Sequence, residues 1–229
     1  MTTRLIVAPP VVPADKQFPT FPPRDDMQNI LHLHEPAHVP VLRRWLGNTT
    51  SIIVISELPL SWVANQQEGY LIPDLLVAFD INRDDIIREG GYAINEWGRP
   101  PAFVMEVASP NNARNDYVNK RTGYANYGVP EYWRFDNTGG NRYPEALAGD
   151  LLVDGEYQPI AVNEVEWARY RGYSPALNLE ICWEYGYLRW RDPATGVYLL
   201  THDQEADARI AAETEAAQLR EQLRRLRGE

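Results

Sequence analysis

A mixed α/β (α+β) fold is predicted by three observations in this chain. Residues 102–108, a nearly continuous apolar run, and residues 131–136, an aromatic-rich strand-like run, lie on either side of a helix-like segment, which makes a strand–helix–strand unit. Residues 147–200 break into short strand-like runs punctuated by Asp154-Gly155 and Tyr185-Gly186, the turn chemistry of β-hairpins. Residues 203–227 contain neither proline nor glycine and carry Ala212, Ala216, Leu219, Leu223 and Leu226 in alternating steps of four and three, a heptad seam on a helix.

The elements follow in order. Residues 1–25 hold six prolines, which block helix and sheet hydrogen bonding, so this segment is read as an arm, extended or partly disordered. Val41, Leu42, Trp45 and Leu46 have helical spacing before Gly47, predicting a short helix at about residues 36–47. Residues 51–60 are rich in Ile and Val and read as a strand, residues 62–70 as a polar turn, and residues 71–81 as the next strand. A charged connection at 82–99 holds a helical turn at 83–89, and residues 103–108 form a strand apolar enough to be buried on both faces. Residues 114–127 read as a helix capped by Asn112 or Asn115 and stopped by Gly128-Val129-Pro130, with the strand at 131–136 after it. The later strands either extend the sheet or make a small β-subdomain. The expected organisation is an arm at 1–25, a domain at 26–202 with its core at 51–136 and β-extension at 147–200, and a helix or short coiled coil at 203–229.

Composition bounds the function. A net charge of -10 argues against broad electrostatic binding to nucleic acid and leaves room only for a local basic groove. Cys182 is the only cysteine, so neither an intramolecular disulfide nor a cysteine zinc site can form within one chain. No apolar run approaches membrane-spanning length and the N-terminus lacks a signal-peptide core, so the expected location is cytoplasmic, with no membrane partner.

Two apolar strands each carry a carboxylate, Asp74 after Pro73 and Glu106 inside residues 103–108. Neighbouring strands lie roughly 4.8 Å apart, so the two acids can stand side by side. Such a pair of hard oxygen ligands suits Mg²⁺. A buried Glu is costly unless paired, which makes Glu106 the most informative residue. Asp116, Lys120 and Tyr124 share one helix face at steps of four, so Lys120 can either supply charge to a phosphate or bridge to Glu106 as a structural ion pair. His32, His34 and His38 are interrupted by Pro36 and lack zinc-site spacing. Tyr124, Tyr127, Tyr132, Trp133 and Cys182 read as core. Neither a phosphate-binding glycine loop, nor a dinucleotide fingerprint, nor a nucleophile elbow is present.

The ordered set PDLLVAFDI followed by PAFVMEVASPNNARNDYVNKRTGYANYGVPEYWRFD resembles the Uma2 family, bacterial proteins described as candidate restriction endonucleases within the PD-(D/E)XK nuclease superfamily. The likeness is close over residues 71–136 and looser through GYSPALNLEI, LRWRDPATG and the charged final helix. It implies a restriction-endonuclease-like core, a mixed central sheet flanked by helices, with Asp74 and Glu106 as ligands of Mg²⁺ (or Mn²⁺) and the Val107 carbonyl as a further ligand. The superfamily lysine stands two residues after the acid. Ala108 occupies that place, and Lys120 is the implied substitute. A further acid from the N-terminal part of such cores would be Glu35, Glu57 or Glu68. The implied activity is metal-dependent hydrolysis of DNA phosphodiester bonds, with a homodimer expected because duplex cleavage needs two cuts. A different class stays open: a non-cleaving nuclease-fold scaffold that self-associates through its final helix, favoured by the acidic charge and the displaced lysine. A hydrolase of small phosphate substrates is a third reading.

Overall fold

The computed structural model describes residues 13–18, 30–34, 36–66, 68–110 and 115–227. Most of the proline-rich arm lies outside these residues, as do Glu35 and Asn112. Helix α1 (His38–Trp45) lies within the predicted span, its end marked by Gly47 at φ 97°. The predicted strand at 51–60 is two strands, β1 (Ile52–Ile55) and β2 (Leu60–Ser61). They separate at Glu57, whose φ of 55° turns the chain while its amide donates to the Pro73 carbonyl at 3.1 Å. Nothing in the residue type announces that left-handed turn.

Strand β3 (Leu75–Phe79) leads to α2 (Arg83–Glu89), capped by the Asn82 side chain and ended by left-handed Gly90. Then come β4 (Tyr92–Ala93), a one-turn α3 (Ile94–Trp97) and β5 (Phe103–Val107). The helix predicted at 114–127 has two parts, a wide π-helical turn at Asn115–Lys120 and α4 (Arg121–Asn126). The Asp116 carbonyl in the π turn is satisfied by the Tyr132 hydroxyl at 2.9 Å, a side-chain contact beyond the reach of local pattern reading. Strand β6 (Glu131–Phe135) follows, then β7 (Leu147–Val153), β8 (Glu156–Ile160), β9 (Val162–Glu166), β10 (Arg169–Ser174), β11 (Leu179–Glu184) and β12 (Tyr187–Arg191). The predicted turns at Asp154-Gly155 and Tyr185-Gly186 join β7 to β8 and β11 to β12, all four residues having positive φ. The chain then forms α5 (His202–Arg227). Among the described residues no helix is long and apolar enough to cross a membrane.

Six strands make a mixed sheet in the order β1-β3-β5-β6-β7-β8, with β5 and β6 its parallel pair. Strands β12-β11-β10-β9 make a second, antiparallel sheet, so the β-extension both lengthens the first sheet and builds another. Alternation along the central strands sorts their residues between two cores. Leu75, Val77, Phe103, Met105, Trp133 and Phe135 face the second sheet and α1, whereas Leu76, Ala78, Val104 and Tyr132 face α2 and Tyr124 of α4. The helix-covered face carries the charged residues described below.

Trp133 joins the two sheets. A Cβ on Gly149 of β7 or on Gly172 of β10 would sit 2.8 Å from its indole, so glycine lets both backbones close on the ring. Its Nε1 donates to Glu131 at 3.0 Å, and the same carboxylate accepts the Ser174 hydroxyl at 2.6 Å and the Ala176 amide at 2.5 Å. Gly172→Ala is expected to cost about 1–3 kcal/mol by overpacking and Trp133→Ala about 3–5 kcal/mol by leaving a cavity, both measurable by urea denaturation.

His38 supplies a pH-dependent contribution. Its buried Nδ1 accepts from Trp190 Nε1 at 3.1 Å, and burial, followed by Arg189 and His32, pushes the imidazole down to about 4. The unfolded chain binds a proton there more readily, so this contribution is complete above about pH 6.5 and is lost as pH falls through about 4. It amounts to about 3 kcal/mol by linkage. Stability measured against pH should therefore be less steep between those limits in His38→Asn than in the native chain.

Candidate active site

Strand register brings the two acids together. Strands β3 and β5 are antiparallel with Leu75 opposite Met105, and the same register extended by one residue sets Asp74 opposite Glu106, on the sheet face of Leu76 and Val104. Asp74 Oδ2 accepts the Val107 amide at 2.7 Å, which ties the entry to β3 to the exit of β5. The next strand, β6, is parallel to β5 and puts Arg134 opposite Glu106.

The π turn lays a lysine over this face. Lys120 Nζ stands 2.7 Å from Glu106 Oε2 and 3.1 Å from Asp116 Oδ1. The other Glu106 oxygen accepts the Tyr124 hydroxyl at 2.6 Å. Asp116 is held in turn by the Tyr143 hydroxyl. Asp74, Glu106 and Lys120 are only 8%, 1% and 9% exposed, so their charges interact with little screening from water.

Burial pushes the Glu106 carboxyl well above the usual carboxylate range, with Lys120 opposing and Asp74 and Asp116 adding to the rise. Burial raises Asp116 as well, against Lys120 and the Tyr143 hydrogen bond. Burial alone would lower Lys120, yet Glu106, Asp116 and Asp74 together hold its ammonium above the ordinary lysine value. Three carboxyl groups thus share one ammonium, and the upward shifts of Glu106 and Asp116 record their burial together with their mutual repulsion.

A loop at the end of β6 completes the surroundings. Asp136 is fully buried, and its carboxylate accepts the amides of Thr138, Arg142 and Tyr143 at 2.8–3.0 Å. Burial opposes ionisation there, but these bonds and the Thr138 hydroxyl hold Asp136 below its ordinary value. The loop so fixed aims Tyr143 at Asp116 and Arg142 Nη1 at the Ala108 carbonyl, 2.8 Å away, just past β5. On the flank, Asp150 is shared by Arg121 at 3.0 Å and Arg134 at 2.7 Å.

The structure therefore converges Asp74, Glu106 and Lys120 and uses the Val107 amide. Among the candidate further acids, Glu57 lies against the strand carrying Asp74 through its backbone bond to Pro73, and Glu68 is exposed in a loop. The three histidines take different partners: His38 packs on Trp190, His32 lies against Phe135, and His34 is exposed. Among the described residues no group of three or more His, Cys, Asp or Glu is arranged to hold a metal. Sequence reasoning left out Tyr143, Arg142 and Asp136. Their only signal was the tyrosine and arginine in the loop after β6, which no spacing rule connects to Asp116. The reading of Tyr124 as core holds for its ring and misses its hydroxyl.

Removing the ammonium should expose the cost of the cluster. Lys120→Met is expected to lose about 3–5 kcal/mol in denaturant unfolding because it strands buried carboxylates. Adding Glu106→Gln to that variant should restore part of the loss, the signature of direct coupling.

The model of the Uma2 family, described as "Putative restriction endonuclease", matches residues 39–179. Among solved structures, the chain is similar to a crystal structure from Anabaena variabilis titled as "a putative nuclease belonging to DUF820", with 12% identity, a TM-score of 0.39, and coverage of 63% of this chain and 74% of that chain. No curated protein sequence matches the chain.

Proposed function

The chain belongs to the Uma2 family, whose model covers more than half of its length, and from that premise we propose that it is a divalent-cation-dependent endonuclease hydrolysing DNA phosphodiester bonds. The observation that carries the proposal is the meeting of Asp74, Glu106 and Lys120 on one sheet face, at the ends of two strands.

The donor set fits a hard divalent cation. Asp74 and Glu106 offer carboxylate oxygens, and Mg²⁺ needs only one or two protein carboxylates beside its waters and phosphate oxygens. The crowding of acids that helps raise Glu106 and Asp116 is a repulsion that a bound cation would relieve, which is the electrostatic reason for one. Asp74 and Glu106 would hold Mg²⁺ or Mn²⁺, with the Val107 carbonyl as a further ligand. Such a cation, when bound, acidifies water and draws charge from phosphoryl oxygens.

This chain's residues do the rest. The Val107 amide orients Asp74 by its 2.7 Å hydrogen bond. Burial raises Tyr124 well above its ordinary value, so its hydroxyl keeps its proton and donates to Glu106. Lys120, held charged by its acidic neighbours, provides positive charge beside the place where negative charge grows on the phosphate. Asp116 and Tyr143 keep that lysine aimed, and are positioning residues.

A second reading has its own support. Both Glu106 oxygens already accept protein hydrogen bonds and the residue is 1% exposed, as expected of a structural ion-pair cluster in a non-cleaving scaffold.

Plasmid nicking separates the two. Supercoiled DNA with Mg²⁺ or Mn²⁺ should be nicked by the native chain. Asp74→Asn should lose activity by at least about a hundredfold, and Lys120→Met by about 10²–10³, the range for one charge-stabilising group. Circular dichroism must show each variant folded. Nicking undiminished in Asp74→Asn would remove the metal-site assignment, and no nicking by the folded native chain with either cation would favour the scaffold.

A further inference from the structure

Helix α5 is tied to the body near its start. Arg44 of α1 pairs with Glu205 at 2.8 Å and donates to the Leu200 carbonyl at 3.0 Å. Residues 207–227 are exposed apart from half-buried Ala216, and Leu219, Leu223 and Leu226 are 51%, 52% and 85% exposed. At about 1.5 Å per residue this stretch extends roughly 30 Å. Most helical stability in proteins comes from packing an apolar face, and the leucine face of this stretch is exposed. Its internal ion pairs, Arg225–Glu221 at 3.1 Å and Arg209–Glu213 at 3.9 Å, are highly exposed and contribute little.

We propose that α5 pairs with α5 of a second copy of this chain as a parallel two-stranded coiled coil over residues 212–227. The steps of four and three put Ala212, Leu219 and Leu226 at d positions and Ala216 and Leu223 at a positions. The preceding a position is Arg209, where two like charges would meet, so the seam starts at Ala212.

Flanking charges choose the orientation. In a parallel pair each g residue meets the e residue five places on in the other helix. Glu215 then meets Arg220 of the second copy, twice by symmetry, and Gln222 meets Arg227 without conflict. An antiparallel pair sets e against e. The antiparallel register that retains all three leucines, with Ala216 opposite Leu226 and Leu219 opposite Leu223, stacks Arg220 on its own counterpart. The register that avoids this leaves Leu226 outside the seam. Only the parallel pair buries every leucine with no like-charge contact.

Parallel pairing places both bodies at the same end of the coil. Under the nuclease reading above, this gives one assembly two sites for the two strands of a duplex. The association itself does not depend on that reading.

Sedimentation equilibrium of the full chain tests it. The native chain should form a reversible dimer, and Leu219→Asp with Leu223→Asp should be monomeric with unchanged body spectra. Glu215→Arg and Arg220→Glu should each weaken association about tenfold, and the double exchange should restore it. Leu226→Cys should form a disulfide-linked dimer on mild oxidation, while the native chain, whose Cys182 thiol is buried and pushed up to about 11, mainly by that burial, should not. A monomeric native chain, or a dimer that survives the leucine substitutions, would overturn the proposal. So would charge exchange without rescue, or Leu226→Cys without a cross-link, since each rejects the parallel register.

Discussion

The buried contact between Lys120 and Glu106 is the constraint around which the helix-covered face is built. A carboxylate with 1% exposure inside an apolar strand is tolerable only with a partner, because transferring an isolated charge out of water costs far more than a protein's net stability. The partner must come from outside the sheet. The chain provides it by crossing from β5 to β6 through a π turn, which places Lys120 2.7 Å from the acid. That turn leaves the Asp116 carbonyl to be satisfied by Tyr132 of β6, and the Asp116 side chain to be held by Tyr143 of the following loop. The strand, turn, next strand and loop thus depend on one another, and a single ion pair links them.

The opposite face supplies rigidity. The second sheet packs against β5 and β6 through Trp133, with glycines in β7 and β10 admitting the ring. This packing fixes the strands whose ends carry Asp74 and Glu106 and so sets the spacing of the two acids. Trp183 extends the connection: its Nε1 donates to the Asp136 carbonyl at 2.7 Å, beside the loop that aims Tyr143. Damage to the sheet interface should therefore be felt at the charged cluster, although the two lie on different faces.

Much of this was legible in the sequence, for identifiable reasons. Glu106 stood out as a charge in an apolar strand, Asp74 as an acid at the head of another, and steps of four put Asp116, Lys120 and Tyr124 on one face. These are local signals. The π turn was not legible because it depends on Tyr132 satisfying a freed carbonyl. The roles of Tyr143, Arg142 and Asp136 were hidden for the same reason, since the bond from Tyr143 to Asp116 spans 27 residues. The break between β1 and β2 was missed because left-handed Glu57 carries no glycine signal. The hairpin turns were legible from Asp-Gly and Tyr-Gly, but their pairing into two sheets, with glycines shaped to Trp133, belongs to tertiary packing.

Whether the cluster exists to hold a cation or only to hold the fold is the central question, and direct metal binding answers it most simply. Electron paramagnetic resonance titration of Mn²⁺ into the full chain should reveal a bound ion, with binding lost in Asp74→Asn while the fold, read by circular dichroism, is kept. Equal binding by the native chain and the folded variant, or no binding by the native chain, would contradict the account.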